Sequence, residues 1–313
     1  RQMCIRDREI FVKYNVSKGE WSVKDLESNK DWLLHLNLDD QEEIILATKS
    51  SLSSGKTIFD LTSKDFPLNK FLVKINKAKE QVETGLGFII FRGLPVQEFN
   101  DKEVQVMLWG LGQYIGYPEV QDKAGALLHV VTDTGSSVNK TDNIRGFQTN
   151  EELQFHTDGA DVFALLCLRN AKSGGLSKLV SSVAIFNEIE KTRPDFSKTL
   201  QEEFYFDSRA QNPNDAKYQR VPIFVKHDNL VSGLHKRRYI ETAQRFSEVP
   251  KLSKKQIEAL DLIDQMCGSE KFCLSMELKP GDLEIASNAT TFHSRENYLD
   301  HPEPDQRRCM LRL

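Results

Sequence analysis

Phe155-His156-Thr157-Asp158 sets an imidazole and a carboxylate two residues apart. Side chains alternate between faces with period two on extended backbone, so His156 and Asp158 point to the same side. A second imidazole from a distant strand, His293, would complete one face of an octahedron. The other positions would stay open for a bidentate organic acid and dioxygen, the arrangement of non-haem Fe(II) oxygenases. A histidine beside an aspartate is also a common surface pair. The metal reading therefore depends on the rest of the chain, beginning with the basic run Arg307, Arg308 and Arg312 beyond His293.

Composition removes several other classes. The 313 residues are 39% hydrophobic and 28% charged, enough for a substantial core within a single domain. With 42 Lys+Arg against 46 Asp+Glu the formal charge is only −4, so no global field attracts nucleic acid or an anionic membrane. Neither is an expected partner, whereas a small-molecule substrate is; a homo-oligomer stays open. No apolar run reaches the roughly 18 residues that span a bilayer, and no leader-like segment is present, which reads as cytoplasmic. Five cysteines, Cys4, Cys167, Cys267, Cys273 and Cys309, show no C-x-x-C spacing and read as reduced, mostly buried thiols. Residues 1–8 look non-native and are excluded from fold reasoning, and the strand-like ending at Leu313 leaves room for further natural sequence.

The elements that must hold these groups divide the chain in two. Residues 9–115 read as a mainly helical part within one domain, 9–313. Asp39 or Asp40 is expected to cap a helix through Thr48, and 68–84 carries Phe71, Leu72, Ile75, Ala78 and Val82 on one stripe. Phe88–Phe91 suits a buried strand, and Asp101–Tyr114 a helix burying Val104, Met107, Leu108 and Leu111. A long polar stretch, 116–150, reads as loop. Strands are expected at 162–168, 178–183, 203–206, 222–226, 271–278, 282–286 and 309–313, with a turn at Ser173-Gly174-Gly175. Helices are expected at 184–191 and 253–267, the second with Ile257, Leu260, Ile263 and Met266 inward. The fold class is mainly β with flanking helices (α+β), a curved double sheet closed like a jelly roll over about 85–313.

From Gly85 to Leu313, and more loosely from about residue 20, the chain resembles the TauD/TfdA family of Fe(II)- and 2-oxoglutarate-dependent dioxygenases. The matching segments are Gly87-Phe-Ile-Ile-Phe-Arg-Gly-Leu-Pro95, Phe155-His-Thr-Asp158, Ala171-Lys-Ser-Gly-Gly-Leu-Ser177, Pro280-Gly-Asp282, and Asn288 through His293-Ser-Arg295 to Arg307-Arg308-Cys-Met-Leu-Arg312. The resemblance implies a double-stranded β-helix, with His156, Asp158 and His293 as iron ligands. It also implies that Arg308 pairs with the C5 carboxylate of 2-oxoglutarate, where a planar guanidinium fork fits better than a lysine. Ser177 stands where the family usually has threonine and would donate to the same carboxylate. Arg312 stands where family members hold either substrate or cosubstrate.

The implied reaction uses Fe(II), O2 and 2-oxoglutarate, releases succinate and CO2, and hydroxylates an unactivated C–H bond of a small polar or anionic substrate. Asp158 favours hydroxylation, or cleavage after hydroxylation next to a heteroatom, since halogenating members lack this carboxylate. Substrate contacts are expected from Gln121–Asn150 and Gly159-Ala160-Asp161. The rival from another class is a cupin-like jelly roll that binds metal or ligand without turnover. His35, His129, His227, His235 and His301 read as background histidines. Arg237, Arg238, Arg295 and Arg307 read as solvated or structural, and Trp21, Trp32 and Trp109 as core.

Overall fold

The computed structural model describes residues 19–122, 124–135, 148–209, 216–228 and 230–313. Residues 1–8 lie outside these. Helix α1 is Val23–Ser28, β1 is Leu33–His35 and α2 is Leu38–Ser53. The cap of α2 is Asn37 rather than Asp39 or Asp40: its side chain accepts from the Asp40 N–H, and Asp40 accepts in return from the Asn37 N–H. That helix also runs beyond Thr48. Helix α3 (Leu72–Thr84) begins after the expected residue 68 and buries Ile75, Ala78 and Val82. Strand β2 is Phe88–Arg92, and α4 (Asp101–Gly112) buries the four residues expected of it.

Strand β3 (His129–Val131) interrupts the stretch read as loop, and Gln121 and Asn150 flank a segment whose residues 123 and 136–147 lie outside those described. There follow β4 (Leu153–His156), β5 (Val162–Arg169), β6 (Ser173–Gly174) and β7 (Ser177–Ser181). The expected turn at Ser173–Gly175 is in part a short strand. Helices α5 (Ser182–Thr192) and α6 (Pro194–Leu200) lead to the hairpin of β8 (Glu203–Asp207) and β9 (Tyr218–Pro222). The run expected as one strand at 222–226 breaks after Pro222, and β10 (Phe224–His227) pairs instead with β11 (Leu230–Gly233). After α7 (Arg237–Ala243) comes α8 (Lys254–Cys267), in which Ile257 is exposed and Ala259, Leu260, Ile263 and Met266 are buried. The last strands are β12 (Leu274–Met276), β13 (Leu283–Ser287), β14 (Thr291–Arg295), β15 (Tyr298–Leu299) and β16 (Cys309–Arg312).

Two sheets form the centre, one ordered β1-β2-β13-β5-β16-β3 and the other β12-β7-β14-β4. Their inner faces share one apolar cluster that includes Phe88, Ile90, Phe163, Cys167 and Met310 from the first sheet and Leu179 from the second. Trp21 and Trp32 pack into the same cluster, in which both meet Phe88 with tilted rings. The outer face of the first sheet, with Ile89, Phe91, Leu166, Ile285 and Leu311, is covered by α2, α3 and α4. The second sheet turns Val180 and Phe292 towards α5, α6 and α8. This is the expected double-stranded β-helix with flanking helices. Cys167, Cys267, Cys273 and Cys309 are free thiols, and burial pushes Cys167 up to about 12. Among the described residues no helix is long and apolar enough to cross a membrane.

The Gly87–Pro95 and Pro280–Asp282 motifs are each other's partners. The Arg92 guanidinium donates from Nε and Nη2 to both oxygens of Asp282, at 3.0 and 2.7 Å, and Asp282 also accepts from the Lys279 N–H. Gly281 has φ +87°, and a Cβ there would stand 2.4 Å from the Leu94 carbonyl oxygen, so only glycine lets the turn dock. Asp282 is buried and would be left uncompensated without Arg92. Arg92→Ala is expected to lose about 3–5 kcal/mol of stability, read as a lower urea midpoint. An unchanged midpoint would show that the pair is replaceable.

A second buried acid lies on the same strand. Glu284 points into the space between the sheets, and burial alone pushes its carboxyl up from 4.5 to about 8. The folded chain then holds this proton more tightly than the unfolded chain. The resulting stability is complete below pH 4.5 and is lost as pH rises to about 8, on the order of 1.4 kcal/mol per pH unit. In metal-free protein, Glu284→Gln should be less sensitive than wild type to a change from pH 5 to pH 8, measured by urea unfolding at each pH. The same wild-type-to-variant difference at both pH values would refute this.

Candidate active site

Strands β4 and β14 run antiparallel with His156 directly opposite His293, and their ring centroids are 4.2 Å apart. Beyond β4 the chain stays extended through Thr157, whose N–H donates to the His235 carbonyl and whose side chain is buried on the opposite side. The alternation expected of the His-x-Asp stretch holds. Asp158 is then fixed by Asn288: its N–H donates to the Asn288 side-chain oxygen at 2.8 Å, and the Asn288 amide donates to the Ala160 carbonyl at 2.8 Å. The Gly159–Asp161 turn is thus tied to the end of β13.

One ligand atom from each of His156, Asp158 and His293 lies within 4.8 Å of the others, close to twice a metal–ligand bond of roughly 2.1 Å. The hydrogen-bond network assigns the His156 tautomer. Its Nδ1 lies 2.8 Å from the Gln154 carbonyl and acts as donor there, leaving Nε2 for a metal. Phe163 packs on the His293 ring with centroids 4.4 Å apart. Burial holds both imidazoles below their ordinary value, His293 at about 3, where the neighbouring His156 adds to the effect. For Asp158, burial pushes upward, but nearby positive charge, chiefly the Arg312 guanidinium, outweighs it and holds the carboxyl well below the usual range. Near neutral pH the trio is two neutral imidazoles and one carboxylate, and a divalent iron can bind without displacing a proton.

The cavity continues past the trio to Ser177, Glu284, Arg295 and Arg308. Arg308 is 3% exposed; its backbone N–H donates to Asp300, and its Nη1 has no hydrogen-bond partner among the described residues. Gly174 and Gly175 have φ of +75° and +76°. A Cβ on Gly175 would lie 3.2 Å from the Tyr298 Cβ and 3.4 Å from the Arg308 Nε, so the glycine pair lets main chain close against the arginine. Arg312 stands at the other end. Its Nη1 is 3.3 Å from an Asp158 oxygen, and its Nε donates to Gln121 at 2.8 Å.

Arg295, read from sequence as solvated or structural, is 5% exposed and lines this cavity. Sequence reasoning also passed over Glu284 and Phe163, and quoted Asn288 without a role; Gln121, the first residue of the stretch expected to meet substrate, holds Arg312. His129 and His235 do not join the trio: His129 lies 2.9 Å from Asp122, and His235 lies 3.3 Å from Asp264. Arg237 forms ion pairs with Glu241, Asp261 and Asp264.

Residues 56–313 match the model of the family described as taurine catabolism dioxygenase TauD, TfdA family. FR-33289 synthase of Streptomyces rubellomurinus (strain ATCC 31215) is 30% identical over 311 residues, covering 97% of this chain and 91% of that protein. The taurine hydroxylase-like protein SAT17 of Stachybotrys chartarum (strain CBS 109288 / IBT 7711) is 28% identical over 318 residues, covering 98% and 82%. Among solved structures, asparagine oxygenase in complex with Fe(II), 2S,3S-3-hydroxyasparagine and succinate superposes with a TM-score of 0.70. It shares 15% identity, covers 90% of this chain and 92% of its own, and shares the fold. The chain belongs to the TauD/TfdA family and is an Fe(II)- and 2-oxoglutarate-dependent dioxygenase.

Proposed function

We propose that His156, Asp158 and His293 hold the iron, that Arg308 and Ser177 receive the C5 carboxylate of 2-oxoglutarate, and that Arg312 serves the prime substrate. The observation that carries this reading is a metal-sized trio at one level of the cavity and, at another, a buried guanidinium whose Nη1 has no hydrogen-bond partner among the described residues. Iron held there supplies oxidative decarboxylation of 2-oxoglutarate to succinate and CO2, coupled to hydroxylation of a C–H bond. The protein's part is positional. The Gln154 carbonyl orients His156, Asn288 fixes the turn that bears Asp158, and Phe163 closes the apolar side of His293.

The assignment of Arg312 to the prime substrate is supported by its distance from Arg308. Four residues of chain, with a register shift between Cys309 and Met310, hold their backbones at most roughly 13 Å apart. Arg312 sits beside Asp158 and Gln121, at the trio's end of the cavity. A guanidinium there suits a small polar or anionic substrate bearing a carboxylate, sulfonate or phosphonate.

Asp158→Ala is expected to abolish coupled succinate release and weaken Fe(II) binding while the thermal unfolding profile stays cooperative. Full activity in that variant would overturn the trio. Arg308→Ala should weaken 2-oxoglutarate binding on the order of a hundredfold, Arg308→Lys should recover part, and Ser177→Ala should cost about 1 kcal/mol. These affinities can be read anaerobically from the visible band of the Fe(II)·2-oxoglutarate chelate. Arg312→Ala should leave that affinity within a few-fold and raise the KM of the substrate identified by a succinate-release screen over sulfonates, amino acids, betaines, phosphonates and aryloxyacids. A raised KM for 2-oxoglutarate alone would move Arg312 to the cosubstrate.

A further inference from the structure

Arg295 and Arg308 face the same cavity, and each leaves its Nη1 without a hydrogen-bond partner among the described residues. Both residues are more than nine-tenths buried. The ring of Tyr298 is flanked by both, with guanidinium carbons 4.8 Å (Arg295) and 5.1 Å (Arg308) from its centroid. The Arg295 Nη2 is already used, donating to the carbonyls of Thr149 and Glu151. Its aim is therefore fixed, and Nη1 is the atom left for a ligand. Register supplies a second, independent observation. Arg295 is the direct cross-strand partner of Ser177, one inward step of the pleat beyond the His293–Leu179 pair. Two like charges enclosed near one another, each with an unused donor, are stabilised by an anion within reach of both.

We infer that Arg295 is a second guanidinium in the distal carboxylate pocket of the cosubstrate. The C5 carboxylate lies between Arg308 and Arg295, with the Ser177 hydroxyl on the same floor. This rests on the proposed cosubstrate site and adds a binding residue to it.

The test compares two ligands in the full-length Fe(II) protein under anaerobic conditions. One is 2-oxoglutarate, and the other is 2-oxopentanoate, which chelates iron through the same atoms but carries a methyl in place of the C5 carboxylate. Affinities are taken from the chelate's visible band. Arg295→Gln should weaken 2-oxoglutarate roughly tenfold to a hundredfold, as expected for a hydrogen bond to a charged group, and leave 2-oxopentanoate within about twofold. Since Arg295→Gln also loosens the Thr149 and Glu151 tethers, Arg295→Lys is measured alongside. It keeps the charge and should show the same selectivity with a smaller loss. Equal losses for both ligands in both variants would mean that Arg295 only supports the loop, and no loss for either would mean that it does not reach the ligand; each result overturns the inference. Arg308→Ala in the same assay separates the two levels. If it loses affinity selectively for 2-oxoglutarate while the Arg295 variants do not, only the role of Arg295 fails; if neither residue matters, the carboxylate pocket itself is wrong.

Discussion

Strand register is the constraint on which the site depends. His293, Leu179, Ser177 and Arg295 meet because β14 and β7 pair in one continuous register, and His156 joins them opposite His293 on β4, whose register with β14 shifts before Arg295. A slip of one residue in β14 would turn His293 and Arg295 out and swing Phe292 in, exchanging polar and apolar faces along the whole strand. The slip is opposed by Phe292, which is fully buried on the outer side among Phe224 and the residues of α5 and α8. Apolar burial on one face of β14 thereby fixes the metal-ligand geometry on the other.

Charge is the second organising term. The cavity holds three guanidiniums, from Arg295, Arg308 and Arg312, against the carboxylate of Asp158 and the largely protonated Glu284. Such an excess of enclosed positive charge favours anions, and 2-oxoglutarate brings two negative charges. The ion pair between Arg312 and Asp158 is also a competitor for the metal, since a carboxylate engaged with iron interacts less with the guanidinium. Metal binding and the Arg312 ion pair are consequently linked through one side chain.

Much of this was legible in the sequence because the informative residues are of rare types at fixed spacing: His156-x-Asp158, His293 and Arg308 all fall in the one cavity. Strands β2 and β5 and helices α4 and α8 were visible from long apolar patterns. Strands β1 and β3 were not, since three residues with a histidine at one end carry no periodicity of their own and become strands only by pairing with β2 and β16. Glu284 and Arg295 were missed for a different reason. Leu283-Glu-Ile-Ala and Phe292-His-Ser-Arg alternate as though one face met water, and the pattern is the same when that face lines an internal cavity. Ile257 failed in the opposite sense: its helical spacing fits the buried stripe, yet Ala259 takes the inward position and leaves Ile257 on the rim.

The Gly174–Gly175 turn behind Arg308 acts as the fixed stop of a ruler. Main chain, unlike a side chain, has no alternative rotamer into which it can retreat, and here it is held by β6 pairing with β15. In the proposed cosubstrate site the span from the trio to that stop is bounded by two strand pairings, β14 with β7 and β15 with β6, and a local adjustment of Arg308 does not lengthen it. A 2-oxo diacid one methylene longer would have to bow its chain or unpair a strand. With the proposed carboxylate pocket, discrimination by acid length would be a mechanical property of the main chain behind Arg308, available before any group in the cavity makes a hydrogen bond.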